Sequence, residues 1–168
     1  MLPAIIALFY FPDAWAAWTA LALYTIACIT DFLDGYLART MQTESNLGKF
    51  LDPIADKVFV AALLLTLAAF DRLPELWLIP AIVILIREFL VSGLREFLGP
   101  EKRMPSSKLG KWKTTVQMVT MGFLVVGDYG DVLVPHTLAI GQWGLAIAAL
   151  LTLISGWDYM RAGMKHIL

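Results

Sequence analysis

At 168 residues, 59% hydrophobic and with a mean hydropathy of +0.71, the chain is too apolar for an ordinary water-soluble domain. Its length suits one domain of about six membrane-spanning helices. The net charge of −1 carries no polybasic signature for nucleic acid, and the lone Cys28 excludes an intrachain disulfide.

Apolar runs separated by short polar breaks predict helices near 2–11, 16–39, 49–70, 76–98, 108–127 and 137–160. Helices are required because an open strand cannot satisfy its backbone in lipid. The expected fold is therefore all-α, a polytopic six-helix bundle forming a single domain over 1–168. The first run is about half the length needed to cross a bilayer, so the first helix either has lost its beginning, the favoured expectation, or lies shallow in the membrane. The start shows no basic segment followed by a small-residue cleavage site, as a signal peptide would. Lys and Arg gather at one set of breaks: Arg39, Lys49, Arg95, Lys102, Arg103, Lys108, Lys111, Lys113, Arg161 and Lys165 lie in or beside 40–48, 99–107 and the tail. The opposite breaks hold Arg72 alone. The positive-inside rule puts the basic loops in the cytoplasm.

The second and third helices carry the chemistry. Asp31, Asp34, Gly35 and Ala38 share a sector of about 100° on one, followed by Arg39; Gly48, Asp52 and Asp56 make an i, i+4, i+8 stripe on the next. A short connection predicts antiparallel neighbours whose carboxylates converge across one seam. A carboxylate near the bilayer centre costs about 2.5–3.5 kcal/mol, so four of them demand compensation. With no His or Cys among them, they suit a hard cation, Mg²⁺ or Mn²⁺, and four negative charges suit two ions. Two such ions are the usual device for in-line displacement at phosphorus. Gly35, Ala38 and Gly48 leave room for a ligand at the same faces, and Arg39 suits a carboxylate or a phosphate. Small residues on spanning helices also serve plain helix packing.

Asp31-x-x-Asp34-Gly35-x-x-Ala38-Arg39, eight residues, then Gly48-x-x-x-Asp52-x-x-x-Asp56 resembles the signature of the CDP-alcohol phosphatidyltransferases in every fixed position. The resemblance implies a six-helix membrane enzyme, usually a homodimer, that uses two Mg²⁺ or Mn²⁺ ions to join an alcohol to the phosphatidyl group of a CDP-lipid such as CDP-diacylglycerol, releasing CMP. It implies that Asp31, Asp34, Asp52 and Asp56 hold the metals and that Asp56 is also the base toward the acceptor hydroxyl. The CDP-lipid falls to Asp34, Gly35, Ala38, Arg39 and Gly48. Family members normally carry a longer N-terminus with a polar motif that helps hold the nucleotide, and nothing here matches it.

The acceptor question rests on a second polar cluster. Arg87, Glu88, Ser92 and Arg95 span about 140° of the fourth helix, and Gly110, Lys111, Thr114 and Gln117 about 120° of the fifth, with Lys113 and Thr115 just beyond opposite edges. Two arginines and a lysine facing a bundle interior suit a dianion. An Arg at a helix end also snorkels to the interface, and Lys102, Arg103 and Lys108 suit anionic headgroups. The stretches Ile86 to Glu96 and Gly110 to Gln117 resemble the bacterial phosphatidylglycerophosphate synthase branch. That implies sn-glycerol-3-phosphate as acceptor, with Arg87, Arg95 and Lys111 around its phosphate, in a bacterial inner membrane. Inositol phosphate would use the same cations, whereas serine would not need them; phosphatidylglycerol is a further acceptor in the family. From another class, a divalent-cation transporter would use the acids as an ion path, but should show paired halves, and 137–160 carries little polar matter. A non-catalytic scaffold would not need all four acids.

Overall fold

The computed structural model describes residues 1–41, 46–98 and 108–164; within these, 32, 35–41, 46–53, 95–98, 108–111, 158–159 and 162–164 are described by backbone alone. The described chain folds as α1 (Leu2–Leu8), α2 (Ala14–Met41), α3 (Asn46–Ala69), α4 (Leu78–Leu98), α5 (Lys108–Val126) and α6 (Thr137–Met164). Short 3-10 segments cover Glu75–Trp77 and Gly127–Val132, and no strand occurs among the described residues. The protein is thus all-α. The expected spans match these helices to within a few residues. The break expected over 127–136 is partly ordered as the second 3-10 segment.

Lipid is as apolar as leucine, so helix association depends on close packing and hydrogen bonds rather than on expelling water. The sequence provides for this on α6, which packs against α5 and α4. A Cβ at Gly144 would overlap the Thr120 side chain, and one at Gly141 would sit 2.9 Å from that of Leu124. Ala148, one turn further on, is wholly buried. Missing side chains on α6 are what let α5 approach. Around this pair, α5 meets α2, α2 meets α1, and α3 meets α1 and α4.

Among the described side chains, the apolar core gathers away from the acids. Ala20 and Tyr24 of α2, Leu63, Leu64 and Leu67 of α3, Ala81 and Ile84 of α4, Met121, Leu124 and Val125 of α5, and Leu145 of α6 are all buried together. Each of the first four sets lies on the side of its helix away from the acid-bearing end. That half of the bundle is also stitched across its loops. Tyr129 Oη donates to the Pro12 carbonyl at 2.6 Å, Gln142 Nε2 donates to the Arg72 carbonyl at 3.0 Å, and the Arg72 guanidinium lies 3.5 Å from Asp128. Asp131 Oδ1 accepts the Thr137 N–H at 2.8 Å, satisfying one of the orphan donors at the start of α6. Phe70 packs between Phe9 and Tyr10, with centroids 5.4 and 5.0 Å away.

Outside the core, apolar side chains face outward. Ile79, Ile82, Ile86 and Phe89 line one face of α4, and Trp143, Ile147, Leu150, Ile154 and Trp157 line α6. In water such surface would drive aggregation; against lipid it is at home. Glu75–Leu94 and Thr137–Trp157 are long and apolar enough to cross a membrane. The other long helices carry charges toward their acid-bearing ends, which lowers their hydropathy.

Candidate active site

Met41 ends α2 and Asn46 opens α3, so the two helices run back from a shared end. At 1.5 Å per residue, Asp34 and Asp52 lie about 9–11 Å in from that end, and Asp31 and Asp56 about 15 Å in. The i, i+3 and i, i+4 spacings therefore place the four acids at two matched levels. Asp31, Asp34 and Asp56 have exposed side chains. Those of Gly35, Ala38, Arg39, Gly48 and Asp52 lie outside the described residues, although all five sit on helical backbone.

The convergence of the four acids expected across the α2–α3 seam involves Asp52, whose side chain lies outside the described residues. The helices meet through Tyr24 and Phe59, whose rings stack with centroids 6.1 Å apart and planes 17° apart. Otherwise α2 leans on α1 and α5, and α3 on α1 and α4. The Tyr24–Phe59 stack lies two helical turns or less from Asp31 and Asp56, toward the packed half.

A hard cation fits the chemistry of these donors, which are all carboxylate oxygens. Cys28, one turn before Asp31, packs partly buried against the core. Among the described side chains no group of three or more His, Cys, Asp or Glu comes together around one point. The quartet as a whole includes Asp52, whose side chain lies outside them.

From Cys28 an apolar groove of about 390 Å³ runs along α2 and α5, lined by Trp18, Leu21, Tyr24, Met118 and Phe123 among others. Cys28, which lines it, is one helical turn from Asp31. The groove exists partly because Gly122 presents no side chain there; a Cβ would be 3.5 Å from Leu21 and 3.6 Å from Tyr24.

The second polar cluster forms between α4, α5 and α6. Arg87 on α4 has a side chain only 15% exposed, and its NH2 group donates to Ser155 Oγ on α6 at 3.0 Å. Its NH1 group lies 3.7 Å from Glu88 Oε2, and Glu88 Oε1 accepts a hydrogen bond from Lys113 Nζ. The side chains of Arg95 and Lys111 lie outside the described residues.

Two expectations are corrected here. Lys113, placed just beyond the polar sector of α5, is buried, while Thr114, placed inside it, is exposed. The inward face of α5 is Lys113, Gln117, Thr120, Met121 and Leu124, an i, i+4, i+7, i+8, i+11 stripe. The Glu88 carboxylate supplies the physical reason, since a buried ammonium needs a partner of opposite sign. The second correction concerns α6. Its end is not polar-poor: Thr152 and Ser155 are buried, and Ser155 meets Arg87. The signal available in the sequence is Thr152-x-x-Ser155-Gly156, small residues sharing one helical face.

Comparison with known proteins decides the family. The CDP-alcohol phosphatidyltransferase family profile matches residues 1–154. The chain belongs to the CDP-alcohol phosphatidyltransferase family. It is 41% identical over 167 residues to a Rickettsia felis protein named CDP-diacylglycerol--glycerol-3-phosphate 3-phosphatidyltransferase, covering 99% of this chain and 90% of that relative. A Cereibacter sphaeroides protein of the same name is 38% identical over 98% of this chain and 90% of its own length. A Bacillus subtilis protein, again of that name, is 41% identical over 82% of this chain and 69% of its own. Membership of this family, together with two helices apolar enough to cross a bilayer, makes the protein a membrane-associated transferase. The region matched by the family profile includes every acid of the α2–α3 pair and both Arg87 and Lys111; it stops one residue short of Ser155.

Proposed function

We propose that the protein transfers the phosphatidyl group of CDP-diacylglycerol to sn-glycerol-3-phosphate, giving phosphatidylglycerophosphate and CMP. The observation that carries this reading is identity of about 40% along nearly the whole chain with relatives bearing that activity in their names. It is supported by the intact acid signature on α2 and α3 and by the basic residues Arg87, Arg95 and Lys111 on α4 and α5.

Asp31, Asp34, Asp52 and Asp56 would hold two Mg²⁺ or Mn²⁺ ions. When bound, such ions supply positive charge against a pyrophosphate and a departing nucleotide. Gly35, Ala38 and Gly48 give the nucleotide headgroup room against helix backbone, and Arg39 meets its phosphates. The apolar groove along α2 and α5 starts near Asp31 and suits the lipid part of the donor. Arg87, Arg95 and Lys111 hold the acceptor phosphate, as their charge and donor geometry suit a dianion. Asp56 takes the proton from the 1-hydroxyl of the acceptor. That oxygen attacks the phosphorus bearing the diacylglycerol, and the bond to CMP breaks.

All the long helices span the membrane in this reading, with the acid-bearing end in the cytoplasm, where water-soluble acceptors arrive. The concentration of Lys and Arg at that end supports the orientation. The membrane is the bacterial inner membrane, and the working unit is a homodimer, tested by the mass of the detergent-solubilised protein. The deciding experiment is CMP release from CDP-diacylglycerol with glycerol-3-phosphate, inositol phosphate or serine offered separately. Turnover with glycerol-3-phosphate alone is expected. Preference for either other acceptor would reject the assignment.

A further inference from the structure

We infer that α6 takes part in acceptor recognition, with Ser155 and Gly156 acting as positioning residues that aim the guanidinium of Arg87. This rests on the reading of Arg87 as a phosphate ligand. Both residues lie just outside the region matched by the family profile.

Three observations converge. Ser155 Oγ donates to the Thr152 carbonyl at 3.2 Å, so its proton is committed and its lone pairs are left to accept from Arg87 NH2 at 3.0 Å. The hydroxyl therefore cannot turn round without losing both bonds. Gly156 leaves the α6 backbone bare where the arginine stem crosses it; a Cβ there would lie 2.9 Å from both Arg87 Cγ and Nε. Glu88 stands on the other side, 3.7 Å from NH1, and is itself fastened to Lys113, whose side chain is 5% exposed. The guanidinium is thus held at NH2 by a neutral hydroxyl, along its stem by a bare backbone and at NH1 by an anchored carboxylate.

An arginine side chain carries about 2 kcal/mol of rotamer entropy. Holding it in one direction before the acceptor arrives removes that cost from the binding step. A serine does so without adding negative charge beside the phosphate. An aspartate at 155 would hold the arginine more strongly but would oppose the dianion.

The test is a double-mutant cycle at residues 87 and 155, read as KM for glycerol-3-phosphate, KM for CDP-diacylglycerol and kcat in the purified, detergent-solubilised full chain. Ser155→Ala is expected to raise the acceptor KM about tenfold, the weight of one hydrogen bond to a charged group. The donor KM and kcat should stay within about twofold. In an Arg87→Ala background the same change should have no further effect on the acceptor KM, a coupling that loss of helix packing would not produce. Gly156→Ala, which presses on the arginine stem at Cγ and Nε rather than on NH2, should reproduce the acceptor effect, which guards against a folding fault peculiar to position 155. If Arg87→Ala leaves the acceptor KM unchanged, the phosphate pocket itself is wrong and this inference goes with it. If Arg87→Ala raises that KM while Ser155→Ala does not, or if the two changes add, α6 has no positioning role and the pocket stands.

Discussion

The two ends of this bundle are built on opposite principles. At the end away from the acids, loops are fastened to one another: Tyr129 to Pro12, Gln142 to Arg72, Arg72 to Asp128, with aromatic rings packed below. Toward the acid end, beyond the Tyr24–Phe59 stack, α2 and α3 carry the exposed carboxylates of Asp31, Asp34 and Asp56. The loop-to-loop bonds found among the described residues lie where no chemistry is proposed, while toward the acid end the described polar contacts are those of Arg87, Glu88, Lys113 and Ser155 between helices.

This contrast predicts that changes at the acid end cost activity and changes at the far end cost stability. The largest effect should come from Asp52→Asn, which is expected to bring CMP release to background with every acceptor while the thermal midpoint in detergent stays within a few degrees. Retained turnover would remove Asp52 from the proposed ligand set. Chelation with EDTA should abolish turnover in the same way, and added Mg²⁺ or Mn²⁺ should restore it; activity that survives exhaustive chelation would refute the two-ion proposal. Next comes Arg87→Ala, with an acceptor KM raised on the order of 10–100-fold from loss of charge-assisted hydrogen bonds. An equal rise in the donor KM would show that the cluster serves the wrong substrate.

At the far end the signature reverses. Gly127 has φ +56°, and a Cβ added there would overlap the Arg72 guanidinium. Gly127→Ala is therefore expected to cost about 1–3 kcal/mol of stability, seen as a lower thermal midpoint with both KM values unchanged. Asp128→Asn should do least. Its partner Arg72 is mostly buried, but Asp128 itself is 74% exposed, and such pairs contribute about 0–1 kcal/mol. A strong loss of activity from either far-end change would break the division between the two ends.

Much of this is legible in the chain because lipid imposes strict rules on sequence. Backbone polar groups must pair within a helix, so apolar runs and polar breaks locate all six helices to within a few residues. The acids are equally plain, since four carboxylates at helical spacing stand out in an apolar chain. The face of α5 is harder to read. Periodicity alone puts Thr114 inward and Lys113 at the edge, yet Glu88, twenty-five residues earlier on another helix, draws Lys113 into the interior. Ser155 and Gly156 leave only a weak signal in the sequence for a similar reason: a small pair on an apolar helix gains meaning only when the arginine across from it is known.

The amino-acid sequence by itself determined that this protein is helical and suited to a membrane, and that it carries the acid signature of its family, because those properties depend on spacing along one helix. Only the tertiary structure decided which helices lean on which, that Tyr24 of α2 stacks on Phe59 of α3, and that Arg87 lies against α6. Those outcomes depend on pairings between segments distant in the chain, where one small residue or one counter-charge fixes the approach, and local periodicity holds no record of the partner.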